Sequence, residues 1–207
     1  MAISNGYATL SQIKSALRIP SGDATDDAML EMAVESASRL IDAYCGRNFL
    51  LGGTATRYYN TENPRVLHID DARSISVVQT STGADGIYDT TWVVGTAGGP
   101  GDAQPEPIND YLGGIVWPYT RIRAIGDYLF PTGAENTVKV TAVYGWPNVP
   151  VTVTQACLLQ ASRLNSRAQS PLGVAGFGDM GIMRVSRGLD PDVAQLIEGY
   201  RRVNGVA

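Results

Sequence analysis

Charge is scarce in this sequence, and lysine is scarcer still. Charged residues make up 17% of the 207 positions, against about 25% in an average soluble domain. Lys14 and Lys139 are the only lysines beside 14 arginines. The net charge is −4, so the chain lacks the basic balance with which sequence-independent DNA binders neutralise phosphates. There is one histidine, His68, which sits in no nucleophile elbow or other catalytic signature, so a serine or cysteine triad has no evident base. Cys45 and Cys157 lie far apart, match no metal spacing and read as buried helix residues. No apolar run approaches the roughly 18 residues of a membrane helix. The first 22 residues lack the basic start and continuous apolar stretch of a signal peptide. The expectation is a chain made and used in a cytosol, with no cofactor, no membrane and no enzymatic activity.

What is present suffices for a core: 44% of the residues are hydrophobic, and 23 glycines with 11 prolines supply turns. Thr9-x-x-Gln12 fits a capping box ahead of Leu10, Ile13 and Leu17, and Pro20 closes that short helix. Thr25-Asp26-Asp27 offers an N-cap and two carboxylates to a longer helix. Its apolar stripe runs Leu30, Ala33, Val34, Ala37, Leu40, Ile41 and Tyr44, and Gly46 ends it.

From Asn48 to Pro150 the period changes to two. Strands are predicted over 54–59, 65–69, 75–80, 90–94, 121–125 and 137–144. Residues 98–107 are so poor in apolar side chains that they read as a mobile loop or a partner contact. Helical spacing returns after Pro150, where Thr152-x-x-Gln155 can cap a helix burying Val153, Cys157, Leu158, Ala161, Leu164 and Ala168. A glycine-rich loop over 171–181 follows, with a short strand beginning at Ile182. A last helix then starts from Asp190 as N-cap and Pro191 at the first helical position, with Val193, Leu196, Ile197, Tyr200 and Val203 on one side. The fold class is therefore α+β: a helical bundle formed by residues 1–48 and 151–207, with an antiparallel β domain, 49–150, inserted into it.

Chemistry-bearing patterns are few. Gly176-x-Gly178-x-x-Gly181 fits the dinucleotide fingerprint in letters, but that fingerprint requires a strand before it and a helix after it. His68, Asp70 and Asp71 are the only cluster with metal-ligand character, and catalytic zinc usually takes three protein ligands with partners not evident here. Trp92, Trp117, Trp146 and the tyrosines leave a carbohydrate-binding β module open, although aromatics in such modules mostly fill cores. Charge is uneven along the chain: residues 1–48 sum to −2, residues 49–150 to −4 and residues 151–207 to +2. Arg163, Arg167, Arg184, Arg187, Arg201 and Arg202 could thus face an acidic partner surface, with a solvated helix face as the alternative.

Several stretches taken together resemble the head-tail connector (adaptor, or head completion) family of long-tailed bacteriophages. They are Tyr7-Ala8-Thr9-Leu10, Ile19-Pro20-Ser21, Thr25-Asp26-Asp27, Arg39 through Phe49, Val66 through Asp71, Pro118 through Ile122, Phe130-Pro131-x-Gly133, Gly145-Trp146-Pro147 with Pro150, and Ser170 through Asp179. The resemblance implies a structural virion protein of the neck, assembled in the host bacterial cytoplasm. Copies of the chain would form a ring, twelve-fold like the portal protein beneath which it docks, and extend the DNA channel so that packaged DNA passes without sequence-specific binding. A stopper or other tail-completion protein would follow; the chain's being another neck-ring protein, such as that stopper, is the neighbouring reading. In such adaptors the helices build the ring and C-terminal segments tend to engage the portal. That role carries onto Asp190 to Val203 and, less directly, onto Pro171 to Arg187. The residues expected at the partner interface are Phe177, Arg184, Arg187, Asp190, Leu196, Tyr200, Arg201 and Arg202. The roughly hundred-residue β insertion departs from the shortest, mainly helical adaptors.

Overall fold

The computed structural model describes residues 3–83, 85–96, 99–168, 174–176, 182–184 and 188–202. They form a mixed α+β protein with two compact units, one from residues 3–48 and 149–202 and the other from residues 49–148.

In the helical unit, α1 (Leu10–Leu17) opens with the predicted capping box: the Gln12 N–H donates to Thr9 Oγ1 at 3.2 Å and the Thr9 N–H to Gln12 Oε1 at 2.7 Å. It stops at Arg18, whose φ of 59° places it in the left-handed region. The buried Lys14 then anchors the connection to α2 by donating to the Asp23 carbonyl at 2.8 Å and pairing with Asp27. α2 (Asp27–Cys45) starts one residue later than a Thr25 cap would place it, with Asp26 in the cap position and no side-chain cap bond. Gly46, φ +64°, ends it and donates to the Asp42 carbonyl at 2.8 Å.

α3 (Val151–Ala168) also differs at its start. Pro150 precedes the first turn and its carbonyl accepts from Val153 and Thr154 at 2.9 and 3.1 Å, so Thr152 lies inside the helix rather than capping it. Its buried side runs Val153, Ala156, Cys157, Gln160, Ala161 and Asn165, leaving Leu158 and Leu164 half-buried. Small residues set the packing with α2. Ser38 Oγ accepts from the Tyr7 N–H at 3.0 Å, donates to the Val34 carbonyl at 2.7 Å and lies 3.4 Å from Cys157 Sγ.

The second unit is built on one antiparallel sheet in the order β1-β8-β2-β7-β4, with β3 also paired to β2. The strands are β1 (Leu51–Tyr59), β2 (Val66–Thr80), β3 (Thr90–Trp92), β4 (Ala103–Glu106), β7 (Tyr119–Ala124) and β8 (Val138–Gly145). A separate hairpin joins β5 (Tyr111–Leu112) to β6 (Ile115–Val116). Burial alternates along β8, as a half-covered sheet requires. The core gathers Leu67, Ile69, Val78, Ile122, Val138 and Val140 around Trp92, which stacks on Phe130 with centroids 4.5 Å apart.

Three expectations change here. The two strands predicted over 65–69 and 75–80 are one strand, β2, which pairs with β7 through its first part and with β8 through its second, with register shifts where it changes partner. Its polar centre does not break it because its carboxylates are engaged: Asp70 takes an Arg57 ion pair at 2.5 Å, and Asp71 accepts from Trp146 Nε1 at 2.9 Å. Residues 98–107 are not wholly loop, since Ala103–Glu106 is a fully buried strand held against β7. Within the 171–181 segment, β9 (Val174–Gly176) pairs with β10 (Ile182–Arg184), so part of the expected glycine loop is a two-stranded ribbon.

Gly145 closes the sheet unit. Its φ is +107°, and a Cβ there would run into the Leu50 carbonyl oxygen, so this crossing of β8 beside β1 requires glycine.

Candidate functional site

The interface residues expected near the C-terminus gather on α4 (Pro191–Ile197) and the 3-10 turn Glu198–Tyr200 that continues it. Asp190 caps α4 by accepting from the Asp192 N–H at 3.0 Å, while its own N–H donates to Gln160 Oε1 of α3 at 3.2 Å. Its carboxylate also pairs with Arg163, which reaches Asp192 at 3.3 Å. Arg163 is thus neutralised within the unit instead of being held out for an acidic partner.

Val193, Ile197 and Tyr200 are buried at spacings of four and three, and Leu196 is half-buried. Tyr200 therefore acts from beneath the surface and does not present its ring outward. The exposed side of the segment carries Asp192, Gln195, Glu198 and Arg201.

Arg201 sits 3.7 Å from Glu198 and over the Tyr44 ring at 5.5 Å, and the Tyr44 hydroxyl donates to Glu198. That hydrogen bond holds the Tyr44 phenol above its ordinary pKa. The Arg202 N–H donates to the Cys45 carbonyl at 2.7 Å, satisfying an acceptor in the last turn of α2. Asp190, Leu196, Tyr200, Arg201 and Arg202 thus share one C-terminal corner of the helical unit. Arg184 lies on β10, and Phe177 and Arg187 lie outside the described residues.

The candidates for other chemistry separate. His68 is exposed on β2, Asp70 is engaged by Arg57 and by the Tyr59 hydroxyl at 3.1 Å, and Asp71 is turned to Trp146. Among the described residues no three His, Cys, Asp or Glu side chains are grouped to hold a metal ion. The segment Gly176–Gly181 is followed by β10, a strand, where a dinucleotide fingerprint needs a helix. Trp92 and Trp146 are core residues, 4% and 0% exposed, which removes them from any carbohydrate platform. Cys45 and Cys157 are buried, and burial pushes the Cys45 thiol up to about 11 and raises Cys157 as well, so both are protonated near neutrality.

Sequence reasoning missed the Glu106 cluster. On β4 the Glu106 carboxylate, 9% exposed, accepts from Arg121 Nε and Arg123 Nε of β7, each at 2.6 Å. Hydrogen bonding to Arg123 and then to Arg121 holds its carboxyl below the ordinary range, against the opposing effect of burial. The alternation Arg121-x-Arg123 was the available signal, and its partner could not be chosen from the sequence.

With this geometry in place, the first finding concerns class. Residues 7–78, spanning α1, α2, β1 and most of β2, match the phage gp6-like head-tail connector protein family. In that part the chain is a phage head-tail connector protein. No curated protein matches the sequence.

Solved structures supply the particular likeness. The fold is similar to a chain in the neck of an empty GTA particle with C6 symmetry, at TM-score 0.55 and 19% identity over 100% of this chain and 95% of that one. It is similar to a chain in the neck of a native GTA particle with C12 symmetry, at 0.53 and 17%, and to one in the virion of a native gene transfer agent particle, at 0.53 and 19%, with the same coverages. No helix among the described residues is long and apolar enough to cross a membrane.

Proposed function

We propose that this chain is a structural subunit of the neck of a phage-like particle, a head-to-tail adaptor without catalytic chemistry. Its copies form a ring beneath the portal protein, extend the channel through which packaged DNA passes, and offer the next neck or tail component its docking surface. The observation that carries this reading is the connector-family match over residues 7–78, joined to a fold that follows neck chains along its whole length. The twelve-fold count is taken from the C12 neck.

The helical unit, residues 1–48 with the segment after 150, is the ring-forming and portal-docking part in this reading, and the β unit is the outward part. The C-terminal corner is the portal-facing candidate because its exposed residues alternate in sign while its apolar residues are committed inward. Low overall charge fits a surface mostly covered by neighbours, since charged residues are depleted in interface cores. An acidic balance fits a channel wall past which DNA must slide.

The test is to mix the purified chain with its cognate portal protein and image the product by electron microscopy. A cap-like ring on the portal is the expected result. A portal that stays bare under assembly conditions overturns the reading, and a ring seen only on a previously attached adaptor reassigns the chain to the stopper position.

A further inference from the structure

Resting on the ring reading above, we infer that the β5–β6 hairpin of one copy adds to the open edge of β1 in the next copy. The β unit thereby contributes a subunit-to-subunit contact of its own. The sheet has two unlike edges. β4 is four residues long, fully buried, and carries Pro105, which offers no N–H.

β1 is nine residues long, exposed at every position except the half-buried Tyr59, and paired on one side only. Natural edge strands are usually blunted by proline, lysine, bulges or brevity. β1 has neither proline nor lysine, and its register with β8 runs unbroken from Thr54 to Tyr59. Its single charge, Arg57, is drawn over the sheet by Asp70 at 2.5 Å and the Tyr144 ring at 4.0 Å, away from the free edge. An edge of this kind is a template for an added strand.

The hairpin has the complementary shortage. Tyr111 and Leu112 are 67% and 70% exposed, and Gly113 and Gly114, both with positive φ, make the tight turn suited to a two-residue loop. A two-stranded ribbon is marginal alone and gains from a third strand. Its base is tied by the Trp117 N–H donating to the Asp110 carbonyl at 2.6 Å.

Placement decides the occupant. The hairpin springs from the connection between β4 and β7, at the opposite side of the sheet from β1, four strand spacings or roughly 19 Å across. Donor and acceptor on opposite sides make a head-to-tail contact, the kind that closes into rings. Pairing β1 with β1 of another copy would instead give a two-fold dimer, which a cyclic ring does not contain.

The experiment uses the full chain carrying Ala55→Cys and Leu112→Cys, assembled and treated with a short bis-maleimide. The native cysteines are buried and stay silent. A ladder from dimer upward on a denaturing gel is expected, absent from each single variant. Rings seen in the microscope without a ladder overturn the hairpin contact and leave the neck reading standing. Dimers from Ala55→Cys alone overturn it in favour of two-fold edge pairing. A wild-type chain that forms no ring with its portal overturns both. The variant Tyr111→Ser/Leu112→Ser should melt like the wild type yet need on the order of tenfold or more protein to assemble. Unchanged assembly of that variant overturns the proposal.

Discussion

Glu106 concentrates on one side chain the forces that hold the far edge of the sheet. Two guanidinium groups bond its carboxylate, and the resulting depression of its pKa has a definite sign for stability. Because the unfolded chain takes up the proton first as pH falls, the contribution is complete above about 4.5 and disappears as pH drops through the lower, folded value. Both arginines are nearly half exposed, so solvent weakens the pair. Glu106→Gln is expected to cost about 1–2 kcal/mol at neutral pH and to flatten the acid dependence, read by denaturant titration at neutral pH and below about pH 4. Asp42 works in the opposite direction. Burial raises its carboxyl, so its effect on the helical unit is most favourable at low pH and fades as pH rises through the folded value. Acid loss of stability through Glu106 therefore belongs to the sheet unit.

Among the elements, α4 is the most dependent on its cap. A helix of seven residues has little intrinsic stability. Asp190 supplies both the cap and a bond to Arg163, and burial of Val193 and Ile197 supplies the rest. Asp190→Ala should cost about 1–2 kcal/mol, with faster amide exchange over residues 192–200 and unchanged exchange in β2 and β8. Asp190→Asn, which keeps a capping oxygen, should restore most of the protection.

The elements also show where sequence was informative. The starts of α1 and α4 were legible because the partners of Thr9 and Asp190 lie two or three residues away, within local pattern. The continuity of β2 and the existence of β4 were not. Asp70 and Asp71 are stabilised by Arg57 and Trp146, and Glu106 by arginines 15 and 17 positions on, so nothing nearby marks these polar residues as strand. α3 shows a milder version: Pro150 and Thr152 both signal a start, and the proline carbonyl prevails. In the candidate site the roles of Asp190 and Tyr200 in α4 were readable from spacing. The internal pairing of Arg163 was hidden, because it joins α3 to α4 across 29 positions.

For the whole molecule, the shortage of charge becomes a property of the assembly. A net charge of −4 on 207 residues gives duplex DNA no phosphate-neutralising surface to grip. Mixed with duplex DNA at about 0.15 M salt, the purified chain should leave its electrophoretic mobility unchanged. Salt-sensitive retardation would contradict a passive channel wall.

Leu51 and Gly145 are register partners, so the chain enters and leaves the sheet unit at adjacent points of one antiparallel pair. A gene could therefore gain, lose or trade this stretch in a single recombination event without prising apart the helices on either side. Lineages would then be free to refashion the outward part of the particle while its socket for the portal stays under separate selection.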